Sequence, residues 1–128
     1  MASEKLEGGC MCGRVRYKLL SKPLEPSMCH CTDCRKASGS HSVAWVTVPA
    51  DDFECVGTPT SYASSPGVKR TFCPACGTSL TFHSKKREGY IDIATGSLDR
   101  AESYPPEKDL FCEEKLPWVE FSTKTHCD

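Results

Sequence analysis

Cysteine is the residue that most limits what this chain can fold into, because ten of its 128 residues are cysteines. Seven of them fall in three tight clusters, "CMC" (Cys10, Cys12), "CHCTDC" (Cys29, Cys31, Cys34) and "CPAC" (Cys73, Cys76). Such spacing is typical of metal ligands or redox groups, whereas a secreted disulfide scaffold needs an export signal. The start "MASEKLEGGC" has no apolar run of that kind. We therefore expect zinc ligands rather than disulfides, with Cys55, Cys112 and Cys127 as bystanders.

The remaining composition is that of an ordinary globular chain. Hydrophobic residues make up 38% of the sequence and charged residues 26%, and the formal net charge is -1. A net charge this close to zero lacks the excess of basic residues that is typical of nucleic-acid-binding proteins. No stretch approaches the roughly 18 apolar residues of a membrane span. We expect one cytoplasmic domain over residues 1–128, with its core at about 8–121, that binds neither nucleic acid nor membrane.

Short runs of β-branched and aromatic residues, separated by Gly, Pro, Ser and Asp, predict an all-β domain of antiparallel strands. The predicted strands are "RVRYKL" (14–19), "VAWVTV" (43–48), "FECV" (53–56), "TSYA" (60–63), "KRTFC" (69–73), "SLTFH" (79–83), "YIDIAT" (90–95) and "PWVEF" (117–121). A single helical turn is predicted at 32–38, ended by Gly39. The residues expected in the core include Trp45, Trp118, Phe72, Phe82 and Phe121.

Two of the clusters can be combined by geometry. A C-x-C pair on extended backbone presents both thiols on one face, and "CPACG" is a tight turn in which Gly77 tolerates a left-handed backbone, as Gly13 does after "CMC". Two such pairs can close a tetrahedral site with Zn–S distances near about 2.3 Å. The set Cys10, Cys12, Cys73 and Cys76 therefore predicts a structural zinc. A thioredoxin-like redox pair at "CPAC" would need a βαβ context, which is missing.

The third cluster has three ligands and no obvious fourth. Structural zinc sites are closed, whereas catalytic ones keep a position open for water or substrate. Cys29, Cys31 and Cys34 therefore predict a reactive site. His30 should point away as a bystander, and His41 is the alternative fourth ligand. His83 is expected in a strand and His126 in the C-terminal tail.

With these motifs the chain resembles the glutathione-dependent formaldehyde-activating enzyme family, also called the Gfa or centromere-protein-V-like family. The resemblance covers about residues 8–121 and rests on "GGCMCGRVRY", "CHCTDCRKASGS", "SSPGVKRTFCPACGTSL", "TGSLD" and "LPWVEF". It implies an Mss4-like β-tent with two zinc ions, a structural one on Cys10, Cys12, Cys73 and Cys76 and a catalytic one on Cys29, Cys31 and Cys34. The implied activity joins glutathione and formaldehyde into S-hydroxymethylglutathione, formally a carbon–sulfur lyase reaction in reverse.

These ligands suit that chemistry, since soft thiolates hold zinc firmly and an open position can take a thiol and lower its pKa. We expect a zinc-dependent carbon–sulfur lyase acting on a small-molecule thiol adduct, with glutathione as the implied thiol. The alternative is a non-catalytic zinc module that binds a protein partner, with its site closed by His41. The cations Arg14, Arg35, Lys36, Lys69 and Arg70 flank the ligands, and either compensate thiolate charge or bind substrate carboxylates.

Overall fold

Two β-sheets and one short helix make up most of the regular structure in residues 6–121, the part of the chain described by the computed structural model. The strands are β1 (Glu7–Gly9), β2 (Arg16–Leu19), β3 (Leu24–Cys29), β4 (Val43–Pro49), β5 (Phe53–Val56), β6 (Thr60–Ser65), β7 (Val68–Phe72), β8 (Ser79–Ser84), β9 (Tyr90–Ala94) and β10 (Lys108–Leu110). The helix α1 spans Thr32–Ser38, and 3₁₀ turns lie at Ala50–Asp52, Lys85–Arg87, Thr95–Ser97, Ala101–Ser103 and Cys112–Glu114. Within residues 6–121, no helix has the length and apolar character needed to cross a membrane.

The predicted all-β, Mss4-like β-tent is confirmed by two sheets of short strands. The smaller sheet has the order β1-β2-β5, and the larger has the order β10-β3-β4-β9-β8-β7-β6. Neighbouring strands are antiparallel except at one edge, where β10 runs parallel to β3 and pairs Leu110 with Cys29. A parallel partner requires a long crossover connection, and the chain between β3 and β10 indeed contains the other five strands of the larger sheet, β4 and β6 to β9.

The hydrophobic core lies between the two sheets. Tyr17 of β2 belongs to the same buried cluster as Val46 and Val48 of β4, which are both 0% exposed. Because side chains alternate along a strand, Trp45 and Thr47 of β4 point to the opposite face of the larger sheet. This second face is not covered by the smaller sheet, and it forms the floor of a cavity.

The segment 117–121 differs from its prediction, because it contains a turn and no strand. Lys115 Nζ donates hydrogen bonds to the backbone oxygens of Leu116 and Val119, at 3.2 and 2.6 Å, and so takes carbonyls that a strand would offer to a neighbour. Trp118 and Phe121 are 71% and 48% exposed, so their placement in the core was wrong. Among the other predicted core aromatics, one is buried and two are half-buried: Trp45, Phe72 and Phe82.

The cysteines outside the clusters do not all behave as bystanders. Cys55 in β5 is free and exposed, as expected. Cys112 is disulfide-bonded, which corrects its prediction as an isolated thiol. Cys127 and His126 lie outside the described residues.

Candidate metal centres and the adjoining cavity

Four cysteines from distant parts of the chain meet beside the core. The Sγ atoms of Cys10, Cys12, Cys73 and Cys76 all lie within 4.8 Å of one another. Cys12 Sγ is 3.6 Å from Cys10 Sγ and 3.8 Å from Cys73 Sγ. A tetrahedron with arms of about 2.3 Å has edges of about 3.8 Å. The spacing and the soft donor set therefore fit a zinc ion, and the cluster ties the segment before β2 to the turn between β7 and β8.

Local turns bring these sulfurs together. The segment "CMC" is a turn rather than extended backbone, since Gly13 N donates to Cys10 O at 3.2 Å. The expected extended backbone is therefore wrong for this pair, although the two thiols do lie together, with their sulfurs 3.6 Å apart. Gly13 and Gly77 have φ of +84° and +80°, a conformation in which glycine avoids the Cβ penalty, as predicted. Backbone N–H groups then point at sulfur, as Val15 N does toward Cys10 Sγ at 3.3 Å.

Thr78 supports the four-cysteine cluster from the side. Its Oγ1 lies 3.2 Å from Cys76 Sγ and accepts a hydrogen bond from Met11 N at 3.1 Å. The hydrogen bonds from Thr78, first from its side chain and then from its backbone, lower the pKa of the Cys76 thiol to about 5. Thr78 thus links the two turns and favours the thiolate that a metal requires.

Three further cysteines converge at the start of α1. The Sγ atoms of Cys29, Cys31 and Cys34 lie within 4.8 Å of one another, and within residues 6–121 no fourth His, Cys, Asp or Glu ligand atom joins this group. Cys29 ends β3 and Cys31 is the N-cap of α1, where its sulfur accepts from Cys34 N at 3.2 Å. The helix ends at Gly39, with φ of +73°, as the sequence predicts. This group can also hold a metal ion, through soft sulfur donors.

The two histidines near this cluster have other contacts. His30 is 0% exposed and its Nε2 donates to Asp109 Oδ1 at 2.8 Å, while its backbone N donates to Leu110 O at 3.0 Å. His30 therefore points away from the metal group, but it anchors β10 to the cysteine loop rather than standing by. His41 Nδ1 is 2.8 Å from Ser42 Oγ, and its ring packs edge-on against Trp118. His83 lies in β8, as predicted.

Arg70 is the flanking cation whose side chain contacts a cluster sulfur. Its two terminal nitrogens lie 3.7 and 3.8 Å from Cys34 Sγ, and its guanidinium carbon lies 4.9 Å from the centre of the Phe82 ring. Despite burial, the pKa of the Cys34 thiol is lowered to about 3, chiefly by hydrogen bonds from Cys29 and Cys31 and further by Arg70. Arg70 therefore compensates part of the negative charge on the Cys34 sulfur.

A cavity of about 640 Å³ adjoins the three-cysteine cluster. Its floor is the face of the larger sheet that points away from the core. Strand register aligns Thr47 of β4 with Asp92 of β9, Asp92 with Phe82 of β8, and Phe82 with Arg70 of β7. Because directly paired residues share a sheet face, these side chains form one row that ends at Cys34. The cavity therefore has the cysteine cluster at one end and a polar group at the other.

Asp92 and Arg87 form that polar end. Thr47 Oγ1 donates to Asp92 Oδ1 at 2.5 Å, and Arg87 donates to Asp92 Oδ2 at 3.1 Å and to Glu25 at 3.3 Å. Burial raises the pKa of Asp92, while the Thr47 hydrogen bond and Arg87 oppose that rise. These ion pairs satisfy one another at the polar end, whereas the three sulfurs at the cysteine end can hold a metal ion.

The family model described as "Glutathione-dependent formaldehyde-activating enzyme" matches residues 5–114. The chain belongs to this family. All seven clustered cysteines fall within the matched range, so the family assignment covers both candidate metal centres.

Proteins similar to this chain occur in bacteria and in yeast. A Halomonas elongata protein named "Putative glutathione-dependent formaldehyde-activating enzyme" is 29% identical over 93% of this chain and 82% of its own length. A Schizosaccharomyces pombe protein named "Uncharacterized lyase" is 27% identical over 93% of this chain and 87% of its own. A crystal structure of a Rhodobacter sphaeroides protein has the same fold, with a TM-score of 0.61 and 22% identity over 73% of this chain and 88% of that one.

The sequence predicted which sulfurs lie together but not the surface beside them. Trp45 and Phe82 were predicted only as core residues, although they also line the cavity. Strict alternation within "VAWVTV" puts Trp45 and Thr47 on one face, and this pattern was the available signal. The buried pair of His30 and Asp109 had none, because the two residues are 79 positions apart.

Proposed function

We propose that this chain catalyses the reversible joining of a thiol to an aldehyde, as a carbon–sulfur lyase acting on an adduct such as S-hydroxymethylglutathione. The observation that carries the proposal is the group of three cysteine sulfurs that opens onto a cavity beside Arg70. The names of the Halomonas and yeast relatives support both the reaction class and glutathione as the thiol. We further propose that residues 1–128 act as one domain in the cytoplasm.

The reaction needs no oxidant, reductant or further reactant. In the joining direction a carbon–sulfur bond forms, the carbonyl π bond breaks, and the proton that leaves the thiol ends on the adduct oxygen. In the lyase direction the same bonds change in reverse. The enzyme must therefore provide a thiolate, a place for the negative charge that develops on oxygen, and a surface that holds both partners.

Cys29, Cys31 and Cys34 would hold a zinc ion, which would supply a Lewis acid that favours a thiolate at neutral pH. Arg70 supplies the positive charge beside Cys34, where the oxygen of the adduct becomes an alkoxide. The Phe82 ring under the guanidinium and the hydrogen bond from Arg70 Nε to Ser64 Oγ, at 3.1 Å, hold that charge in place. The cavity receives the rest of the substrate.

A second zinc on Cys10, Cys12, Cys73 and Cys76 has a structural role in this proposal. The four cysteine sulfurs would provide all the ligands of a tetrahedral zinc, which would leave no place for substrate. This contrast with the three-cysteine group supports different tasks for the two centres.

The proposal is tested by exchange NMR on the protein mixed with glutathione and formaldehyde. This measurement follows free thiol and adduct interconverting at equilibrium and separates the catalysed rate from the spontaneous one. We expect the exchange rate to rise in proportion to protein concentration and to fall to the spontaneous value after metal chelation. An exchange rate that does not depend on protein concentration, with formaldehyde and with larger aldehydes alike, would reject the activity.

The metal content should reveal two unequal sites. We expect two zinc ions per chain in protein purified under reducing conditions, because both sulfur groups fit the ion. Mild chelation should remove one ion and leave the other, since three protein ligands hold less firmly than four. Elemental analysis before and after chelation measures this, and one ion or none in the untreated protein would contradict it.

Replacing Arg70 by methionine should lower kcat by about 10²-fold, the usual effect of removing a charge-stabilising donor from an active site. The melting temperature should change little, because methionine keeps the apolar stem that packs in the cavity. Lys69→Met is the matched control, since Lys69 is the preceding residue of β7 and points to the other face of the sheet. Equal kinetic effects of the two substitutions would remove Arg70 from the mechanism.

A further inference from the structure

The wall next to the three-cysteine cluster is aromatic. Cys29, Cys34 and Trp45 belong to one buried cluster, and Phe82 and Cys31 pack against it. The rings of Trp45 and Phe82 have centroids 6.0 Å apart, at an interplanar angle of 57°. Two aromatic rings therefore line the cavity beside the three-cysteine cluster.

A third ring borders the same cavity from a strained position. Phe111 has φ of +55° and ψ of +49°, a left-handed conformation that is a genuine outlier for a bulky residue. It follows directly after Leu110, which pairs with Cys29, and its side chain is left 47% exposed while it lines the cavity. Backbone strain of this kind persists where the surrounding structure imposes it, often at ligand sites. Here it places an apolar ring at the cavity where no core packing requires one.

Formaldehyde has too little apolar surface to bury against these aromatic side chains. The joining reaction leaves only one carbon from formaldehyde on the sulfur, whereas three aromatic residues line the cavity, Trp45, Phe82 and Phe111. A larger apolar group on that carbon would bury against Trp45, Phe82 and Phe111. Burial of an additional ring or alkyl chain in an apolar site changes kcat/KM by about tenfold or more.

We infer that the aldehyde handled by this chain carries an apolar substituent, aromatic or long-chain, in place of a formaldehyde hydrogen. This inference rests on the proposed function, and it names the substrate class of that same site. The chemistry balances as before: R–CHO and R′–SH give R′–S–CH(OH)–R, with one carbon–sulfur bond formed and the thiol proton on oxygen.

The test compares formaldehyde, hexanal and phenylacetaldehyde, each with glutathione and the zinc-loaded protein, by exchange NMR. We expect kcat/KM for the two larger aldehydes to exceed that for formaldehyde by at least about tenfold. Phe111→Asn should reduce this ratio at least fivefold, because asparagine tolerates the left-handed backbone and replaces the apolar ring with a small polar amide. Phe111→Leu should restore most of the ratio for hexanal. Tyr90→Ala is the matched control, since Tyr90 is 48% exposed but is not part of this cavity.

Two outcomes overturn the inference and differ in what else they affect. If formaldehyde reacts with a kcat/KM at least equal to those of the larger aldehydes, or if Phe111→Asn leaves the ratio unchanged, the apolar substrate is wrong while the proposed function stands. If no aldehyde exchanges faster with protein than without it, the proposed function fails as well.

Discussion

Replacing Cys73 by serine is expected to abolish cooperative folding of the chain. Cys73 is 0% exposed, and its sulfur accepts hydrogen bonds from the backbone N–H groups of Ala75 and Cys76, at 3.4 and 3.5 Å. Serine leaves a buried hydroxyl where the metal and the turn both require a sulfur. A structural zinc contributes about 10–16 kcal/mol of apparent binding free energy in small domains, which is comparable with the total stability of about 5–15 kcal/mol.

Circular dichroism melts and elemental analysis measure this effect. The Cys73→Ser protein should show no sharp thermal transition, and it should retain less than one zinc per chain. Cys55→Ser is the matched control, because Cys55 is exposed and belongs to neither cluster. A cooperative melt of Cys73→Ser close to that of the Cys55→Ser control would show that the four-cysteine cluster is not structural.

The strands that could be predicted are those whose pattern is local. "FECV" coincides with β5, and β4, β8 and β9 differ from their predictions by one residue at an end. Their β-branched and aromatic residues fit a pleated, half-buried surface wherever the partner strand lies. Local sequence was therefore sufficient for these elements and for the helix at α1.

β3 and β10 could not be predicted, because tertiary contacts create them. β3 contains Pro26 and has Glu25 at φ of +50°, and its pairing with β4 is interrupted by a bulge. β10 is three residues long and pairs with β3 alone. A proline in a short segment argues against a strand when only the local sequence is read. These segments are strands because of their neighbours in the larger sheet and because of the buried contact between His30 and Asp109.

The candidate site divides in the same way. The spacing within each cysteine cluster is local, and the geometry of a C-x-x-C turn or a helix N-cap follows from a few residues. The cavity instead depends on the alignment of four strands, so its row from Thr47 to Arg70 appears only when the register is known. Sequence therefore predicted which sulfurs group together, whereas the structure was needed for the cavity surface beside them.

Replacing Cys31 by serine should have the opposite result to Cys73→Ser, with activity lost and the fold retained. Cys31 is half-buried, and its sulfur caps α1 by accepting from Cys34 N at 3.2 Å. Serine is a preferred N-cap residue, so its hydroxyl can take over this hydrogen bond. The melting temperature should fall by no more than about 5 °C, which corresponds to roughly 1 kcal/mol in a chain of this size.

The same substitution should remove the more labile zinc, because a neutral hydroxyl is a poor replacement for a soft thiolate. Zinc content should fall from two ions per chain to one, and kcat/KM should fall at least about a hundredfold, in line with the several kcal/mol that a catalytic metal contributes. Cys55→Ser again serves as the control for losing a thiol. If Cys31→Ser unfolds as completely as Cys73→Ser, the two clusters share one structural role. If it keeps full activity with one zinc per chain, the reaction takes place elsewhere. Loss of activity with a retained fold, by contrast, separates the two centres as the structure arranges them, one closed by four sulfurs and one open to the cavity.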